Sequence, residues 1–313
     1  RLLVDWQAPS VTVIQIVLLT YGVTTLGLLG WLPSQIRRHL RWRAPFARAL
    51  WRCFWPAPGK EVPFAEVLVA DGLTSLAKVF FDIAMSTCVA LNSTSNVFLL
   101  GGLGIEAGQP GPRLGEALEE CSRSSLPFLM WALPFLIRAN QCIMASRNSP
   151  DAVTRILHRV NLAKYLSALP AVFFALLYTQ GNRLVVLETE DFEAMWAVAS
   201  MLNAVFSFVW DLVMDWGLMQ PGPCLNGSFG LRPMLLFRGI WGFYYLSIAF
   251  NLMGRTLWSL RWSPQATELL GIQFLTTLQQ GAEVLRRCLW NVLRIEWECI
   301  RRGVHRSDKH FTV

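Results

Sequence analysis

Residues 266–294 read "ATELLGIQFLTTLQQGAEVLRRCLWNVLR". The first half, up to Ala282, is mostly apolar and carries a single charge, Glu268. The second half then places Glu283, Arg286, Arg287, Trp290, Asn291 and Arg294 at offsets 0, 3, 4, 7, 8 and 11. Those offsets put all six on one face of a helix. A guanidinium cluster at the end of an apolar segment is either a stop signal at a membrane surface or a site inside the membrane, and the rest of the chain decides between them.

The 313 residues are 53% hydrophobic and 16% charged, with fourteen Trp and nineteen Phe. Soluble domains average about 25% charged residues. Together with a mean hydropathy of +0.38, the composition predicts an integral membrane protein. Seven apolar stretches are long enough to span a bilayer, near 11–32, 64–91, 126–146, 160–180, 192–214, 234–258 and 266–295. The expected fold is therefore all-α, a single polytopic bundle of about seven transmembrane helices over 1–313. In it 11–32 is a peripheral helix, 64–295 the transport bundle and 296–313 a cytosolic tail.

Lys and Arg in the loops set the orientation. The loop "RRHLRWRAPFARALWRCFWPAPGK" (37–60), Arg147, Arg155 and Arg159, and the tail with Arg301, Arg302, Arg306 and Lys309 fall on one side of a seven-span arrangement. That side is expected to be cytosolic. The opposite, luminal side takes 93–125, with four glutamates, and the acidic loop "NRLVVLETED" (182–191). The sequon Asn92-Ser93-Thr94 lies there, close to the bilayer. The Arg- and Trp-rich segment 34–58 reads either as an interfacial helix on anionic lipid or as a plain positive-inside loop. The net charge of +7 sits in these flanking loops and inside apolar segments, so a nucleic-acid partner is not expected. Seven Cys and four His at scattered positions give no metal-ligand spacing. The Cys are read as thiols, with no metal, cofactor or disulfide framework.

Every apolar segment after the first carries polar residues at helical spacing. Asp71, Thr74, Ser75, Lys78 and Asp82 share a face in the second; Arg138 and Gln141 follow in the third; then come Asn161, Lys164 and Tyr165, Asp211 and Asp215, and Asn251, Arg255 and Trp258. An ionisable residue at mid-membrane costs about 2.5–3.5 kcal/mol on insertion scales. Such residues mark substrate paths more often than they merely tie helices together, because buried ion pairs contribute little net stability. The expected architecture is six helices around a polar path, with Lys78, Arg138, Lys164, Arg255, Arg286 and Arg287 balanced by Asp71, Asp82, Asp211, Asp215 and Glu283. The preference for Arg points to an oxyanion, since a guanidinium fork matches the oxygens of phosphate or carboxylate. Arg294, nearer the helix end, is expected to anchor at the interface by snorkelling.

Six pieces carry a family resemblance: "LVADGLTSL" (68–76), "LPFLIRANQC" (133–142), "NLAKYLSAL" (161–169), "WDLVMDWGLM" (210–219), "GRTLW" (254–258) and "EVLRRCLWNVLRIEWE" (283–298). They resemble the EXS family, whose members include the xenotropic retrovirus receptor phosphate exporter and the ER-retention-defective proteins of the Golgi. The resemblance implies a phosphate transporter or channel and no enzyme. It implies phosphate contacts from Arg138, Lys164, Tyr165, Arg255, Arg286 and Arg287, balancing acids at Asp71, Asp211, Asp215 and Glu283, and a gating tryptophan at Trp258. The family's larger members carry an SPX domain that senses inositol pyrophosphates, and these 313 residues contain none. The expectation is therefore the ER-retention-defective branch in the Golgi membrane, returning to the cytosol the phosphate that glycosylation reactions release. Plasma-membrane phosphate export and a seven-span sorting adaptor for glycosyltransferase retention stay open as alternatives. The expected partners are inorganic phosphate, membrane lipid, a second copy in a homodimer, and glycosyltransferases or coat adaptors.

Overall fold

The computed structural model describes residues 48–56, 59, 62–102, 114–180, 189–219, 230–232, 234–237 and 240–303. The expected peripheral helix at 11–32, most of the basic loop and 304–313 lie outside them. Every regular element among the described residues is helical. A short helical stretch at 48–54 precedes α1 (Phe64–Ser75), α2 (Ala77–Gly102), α3 (Leu114–Arg123), α4 (Leu126–Asn148), α5 (Ala152–Leu166), α6 (Leu169–Gln180) and α7 (Thr189–Trp210). A wide turn at Asp211–Asp215 follows α7. Then come α8 (Trp241–Thr256), a tighter helical stretch Leu257–Trp262, α9 (Pro264–Leu270) and α10 (Ile272–Arg301).

Among the described residues, three stretches are long and apolar enough to cross a membrane: Leu126–Asn148, Ala152–Gln180 and Glu190–Asp215. The distribution of side chains is that of a membrane protein. On α4 and α7, Leu129 and Leu202 are exposed at 61% and 65%, while Arg138 on α4 and Asp211 in the turn after α7 are buried at 3% and 2%. Soluble folds do the reverse, because water solvates the charge and expels the leucine. In hydrocarbon the apolar groups face lipid and the charges turn inward to one another.

Local chemistry sets the breaks. Pro127 sits in the first turn of α4, where no N–H is needed. At the other end, Ser149 donates to the Ala145 carbonyl from both its N–H and its hydroxyl. Asp151 then starts α5 by accepting from the Thr154 N–H at 2.8 Å and hydroxyl at 2.9 Å. Those contacts hold the Asp151 carboxyl below the usual carboxylate range. Pro170 has no N–H to offer the Leu166 carbonyl, and the chain turns at Ser167 and Ala168 between α5 and α6. The apolar segment 266–295, read from the sequence as one stretch, divides at Gly271 into α9 and α10. Likewise the 64–91 segment divides at Leu76.

The chain forms two compact units, 1–155 with 175–189 and 156–174 with 190–313. In the first, α2 packs on α3 and α4, and α1 packs on α4. Phe81 stands edge-on to Phe128 and Trp131. Cys53, Ala70 and Ile137 join the 48–54 stretch to α1 and α4. Cys88 and Cys121 form a disulfide between α2 and α3, which corrects the expectation of thiols throughout. The two are 33 residues apart in sequence, and only the folding of α3 onto α2 brings them together.

In the second unit, α8, the wide turn and the 257–262 stretch all pack on α10. The turn closes through Trp216 N–H to Asp211 O at 2.8 Å and Leu218 N–H to Leu212 O at 2.7 Å. It hands the chain to Gly217, at φ +62°, where a Cβ would lie 2.5 Å from the Trp297 ring. Backbone strain and ring overlap therefore act together at this position. Gly217→Val is expected to cost about 3 kcal/mol or more. Thermal melts in detergent check this, with Gly115→Ala, where a Cβ meets nothing within 4 Å, as the silent control.

Candidate functional site

The described residues of the second unit include three groups of buried charge. Asp211 is the hub of the first. Its Oδ2 accepts from Arg255 Nη2 at 2.5 Å, Arg255 Nε at 3.1 Å and Asn251 Nδ2 at 3.0 Å, and its Oδ1 accepts from Trp290 Nε1 at 3.0 Å. Arg286 Nη1 lies 3.8 Å from the same Oδ2 and donates to Asn251 Oδ1 at 3.1 Å. Glu283 holds Arg286 from the other side through Nε at 2.7 Å and Nη2 at 2.6 Å. Two cations and two carboxylates thus balance, with Asp211 and Arg286 deeply buried and Glu283 at the more open edge. The two guanidiniums come from different helices, α8 and α10, and meet at the one carboxylate supplied by the turn that follows α7. Gly254 makes the approach possible, since a Cβ there would lie 3.0 Å from Arg286 Cδ.

Asp215, one turn on, anchors the second group. Lys164 Nζ lies 3.8 Å from its Oδ2 and Arg294 Nε 3.6 Å from its Oδ1. The Lys164 ammonium sits 4.3 Å above the Tyr165 ring and 5.4 Å from that of Trp210. Arg294 also reaches Glu298 at 3.5 Å. The expectation that Arg294 snorkels is corrected: its side chain is 12% exposed and turns inward because two carboxylates wait there. Arg294→Ala leaves Asp215 with Lys164 and Glu298 with Arg301 and Arg302, and the lost buried contacts are expected to cost about 1–3 kcal/mol. Arg294→Lys keeps the charge, loses the fork and is expected to fall between wild type and Ala in thermal melts.

The sequence reading missed the third group altogether. Arg232 pairs with Glu296 at 2.7 Å and donates to the Trp216 and Met234 carbonyls. Glu296 also accepts from Tyr244 Oη at 2.6 Å and from the Leu236 N–H at 2.7 Å. Glu296 falls beyond 295, where the bundle was expected to end, and Arg232 comes from a loop. Neither position showed a periodic signal.

Of the other expected site residues, Arg287 stacks over Trp290 at 4.7 Å. Trp258 meets Trp196 and Trp262 edge-on. Arg138 belongs to the first unit, where Asp71 holds its Nε at 2.7 Å and Gln141 accepts from its Nη1 at 2.6 Å. Lys78 and Asp82 share the sequence stripe with Asp71, yet they pair with each other at a half-exposed position. They lie on the far side of the helix break at Leu76 from Asp71.

A profile described as the EXS family matches residues 2–300. The chain is 34% identical over 181 residues to "Phosphate transporter PHO1" of Arabidopsis thaliana, covering 55% of this chain and 20% of that protein. It is 28% identical over 274 residues to the human "Solute carrier family 53 member 1", covering 85% and 37%. It is 24% identical over 260 residues to "Protein ERD1 homolog 1" of Schizosaccharomyces pombe, covering 82% and 62%. The chain spans less than two thirds of the length of each of these curated relatives.

Proposed function

The chain belongs to the EXS family, and we propose that it moves inorganic phosphate across a membrane past the cluster built on Asp211. One observation carries the reading. Arg255 and Arg286 converge from two helices on a single buried carboxylate, and both are already charge-compensated. A carboxylate offers a guanidinium the same oxygens that phosphate does. An entering phosphate takes the place of Asp211 or Glu283 on the guanidinium donors, and the carboxylate returns as it leaves. The exchange avoids the deep positive well that would trap the anion. Asn251 and Trp290 hold Asp211 in place while an arginine is engaged elsewhere.

In this reading Arg255 and Arg286 contact the anion, together with Arg287, Lys164 and Tyr165. Asp211, Asp215 and Glu283 balance the charge, and Trp258 gates the path. Arg138 and Asp71 form the corresponding buried pair of the first unit. The proposal keeps seven spans, with the basic end of α10 cytosolic, and no chemical step that would make the protein an enzyme. The Golgi membrane, with flux from lumen to cytosol, is the proposed setting, supported by the similarity to Protein ERD1 homolog 1. The similarity to Phosphate transporter PHO1 supports the plasma membrane as the second setting.

Purified protein in liposomes tests the function. Labelled phosphate is expected to enter down its gradient without ATP, well above protein-free liposomes and above sulfate. Transport of neither anion would replace this reading with the sorting adaptor.

A further inference from the structure

We infer that the Cys88–Cys121 disulfide closes α3 over Asn92 in an oxidising, extracytosolic compartment, and that this bond and N-glycosylation of Asn92 exclude one another. The bond itself joins α2 to α3. Disulfides persist in the secretory lumen or outside the cell and are reduced in the cytosol. The helix it fastens is built for water on its outer side. Ala117 and Cys121 are fully buried against α2, whereas Glu116, Glu119 and Glu120 are exposed. Glu119 pairs with Arg123 at 2.6 Å on that open face.

The masking follows from one atom. Asn92 Nδ2, which would carry the glycan, points at both half-cystines, 3.4 Å from Cys121 Sγ and 3.9 Å from Cys88 Sγ. While the bond is closed, α3 occupies the space a sugar would need. Without it, α3 is free to lift and the sequon at 92–94 opens. The chemistry is a thiol–disulfide exchange. The Cys88 and Cys121 thiols lose two protons and two electrons and form one S–S bond, and a disulfide-bearing oxidant of the same compartment is reduced to its dithiol.

The test uses the full chain in native membranes. Samples are acid-quenched, free thiols are capped with N-ethylmaleimide, and the protein is then reduced and treated with maleimide-polyethylene glycol. Wild type is expected to gain two tags that vanish in Cys88→Ser/Cys121→Ser; wild type with no such tags overturns the bond and its compartment. On the same gels, glycosidase is expected to leave wild type unchanged. It should shift the double Ser variant, and adding Asn92→Gln should abolish the shift. A glycan on wild-type Asn92, or none on the double variant, overturns the masking. Neither readout uses phosphate flux, so failure here is distinct from failure of the transport reading.

Discussion

Arg286→Ala lowers phosphate uptake into proteoliposomes by about thirtyfold or more, at matched protein density and with expression retained. Removing one partner of a buried charge pair costs about 2–5 kcal/mol of interaction, and 2 kcal/mol already corresponds to that factor. The fold tolerates the change better than the flux does. Asp211 keeps Arg255, Asn251 and Trp290 as donors, and Glu283, 28% exposed, has access to water. Arg286→Lys rescues poorly. A single ammonium cannot hold both oxygens of Glu283 and the Asn251 carbonyl, which the guanidinium does with three separate nitrogens. Arg287→Ala is expected to lower flux as well, through loss of the cation stacked on Trp290. If both Ala variants carried phosphate like wild type, the cluster would be only a stop signal at the end of α10.

Asp211→Asn has the opposite profile, a loss of the fold before any loss of flux can be read. Asp211 is 2% exposed and faces two guanidiniums, an indole N–H and a side-chain amide. An asparagine offers one oxygen instead of two and turns an N–H toward donors. Arg255 then has no carboxylate, and an unpaired buried charge costs about 3–5 kcal/mol, a large part of a typical 5–15 kcal/mol stability. The variant is expected to be recovered in poor yield, with a melting temperature well below that of wild type. Arg255→Met removes the stranded cation, so the double variant Asp211→Asn/Arg255→Met should melt above Asp211→Asn alone, a coupling that a double-mutant cycle isolates. An Asp211→Asn protein that melts with wild type would mean that Asp211 is not the hub.

Much of this site was legible because helical spacing is a strict ruler. Asp211 and Asp215, Asn251 and Arg255, and Glu283, Arg286 and Trp290 can each be read as one face of one helix, and the structure gathers these faces in one unit. The breaks were less legible. Lys78 and Asp82 continue the stripe of Asp71 on paper, but they follow the break at Leu76 and pair with each other at a half-exposed position. Arg294 lay on the correct face all along. Its distance from the helix centre suggested the interface, and the carboxylates that draw it inward come partly from another element. Arg232 and Glu296 meet although 64 positions apart in sequence, without any shared period, and Cys88 and Cys121 meet in the same way at a separation of 33. Tertiary contacts of that kind leave no trace in spacing. The π-type turn at Asp211–Asp215 was hidden for another reason. "WDLVMDWGL" reads as continuous helix until Gly217, and only Trp297 packed over that glycine shows why the chain must leave the helix there.

The most direct measurement is a structure of the reconstituted protein at saturating phosphate. The account predicts a tetrahedral anion within hydrogen-bonding distance of the Arg255 and Arg286 guanidiniums, with at least one of their bonds to Asp211 or Glu283 released. Anion density confined to exposed basic positions such as Arg301 and Arg302, with Arg255 and Arg286 still closed on the same two carboxylates, would contradict it.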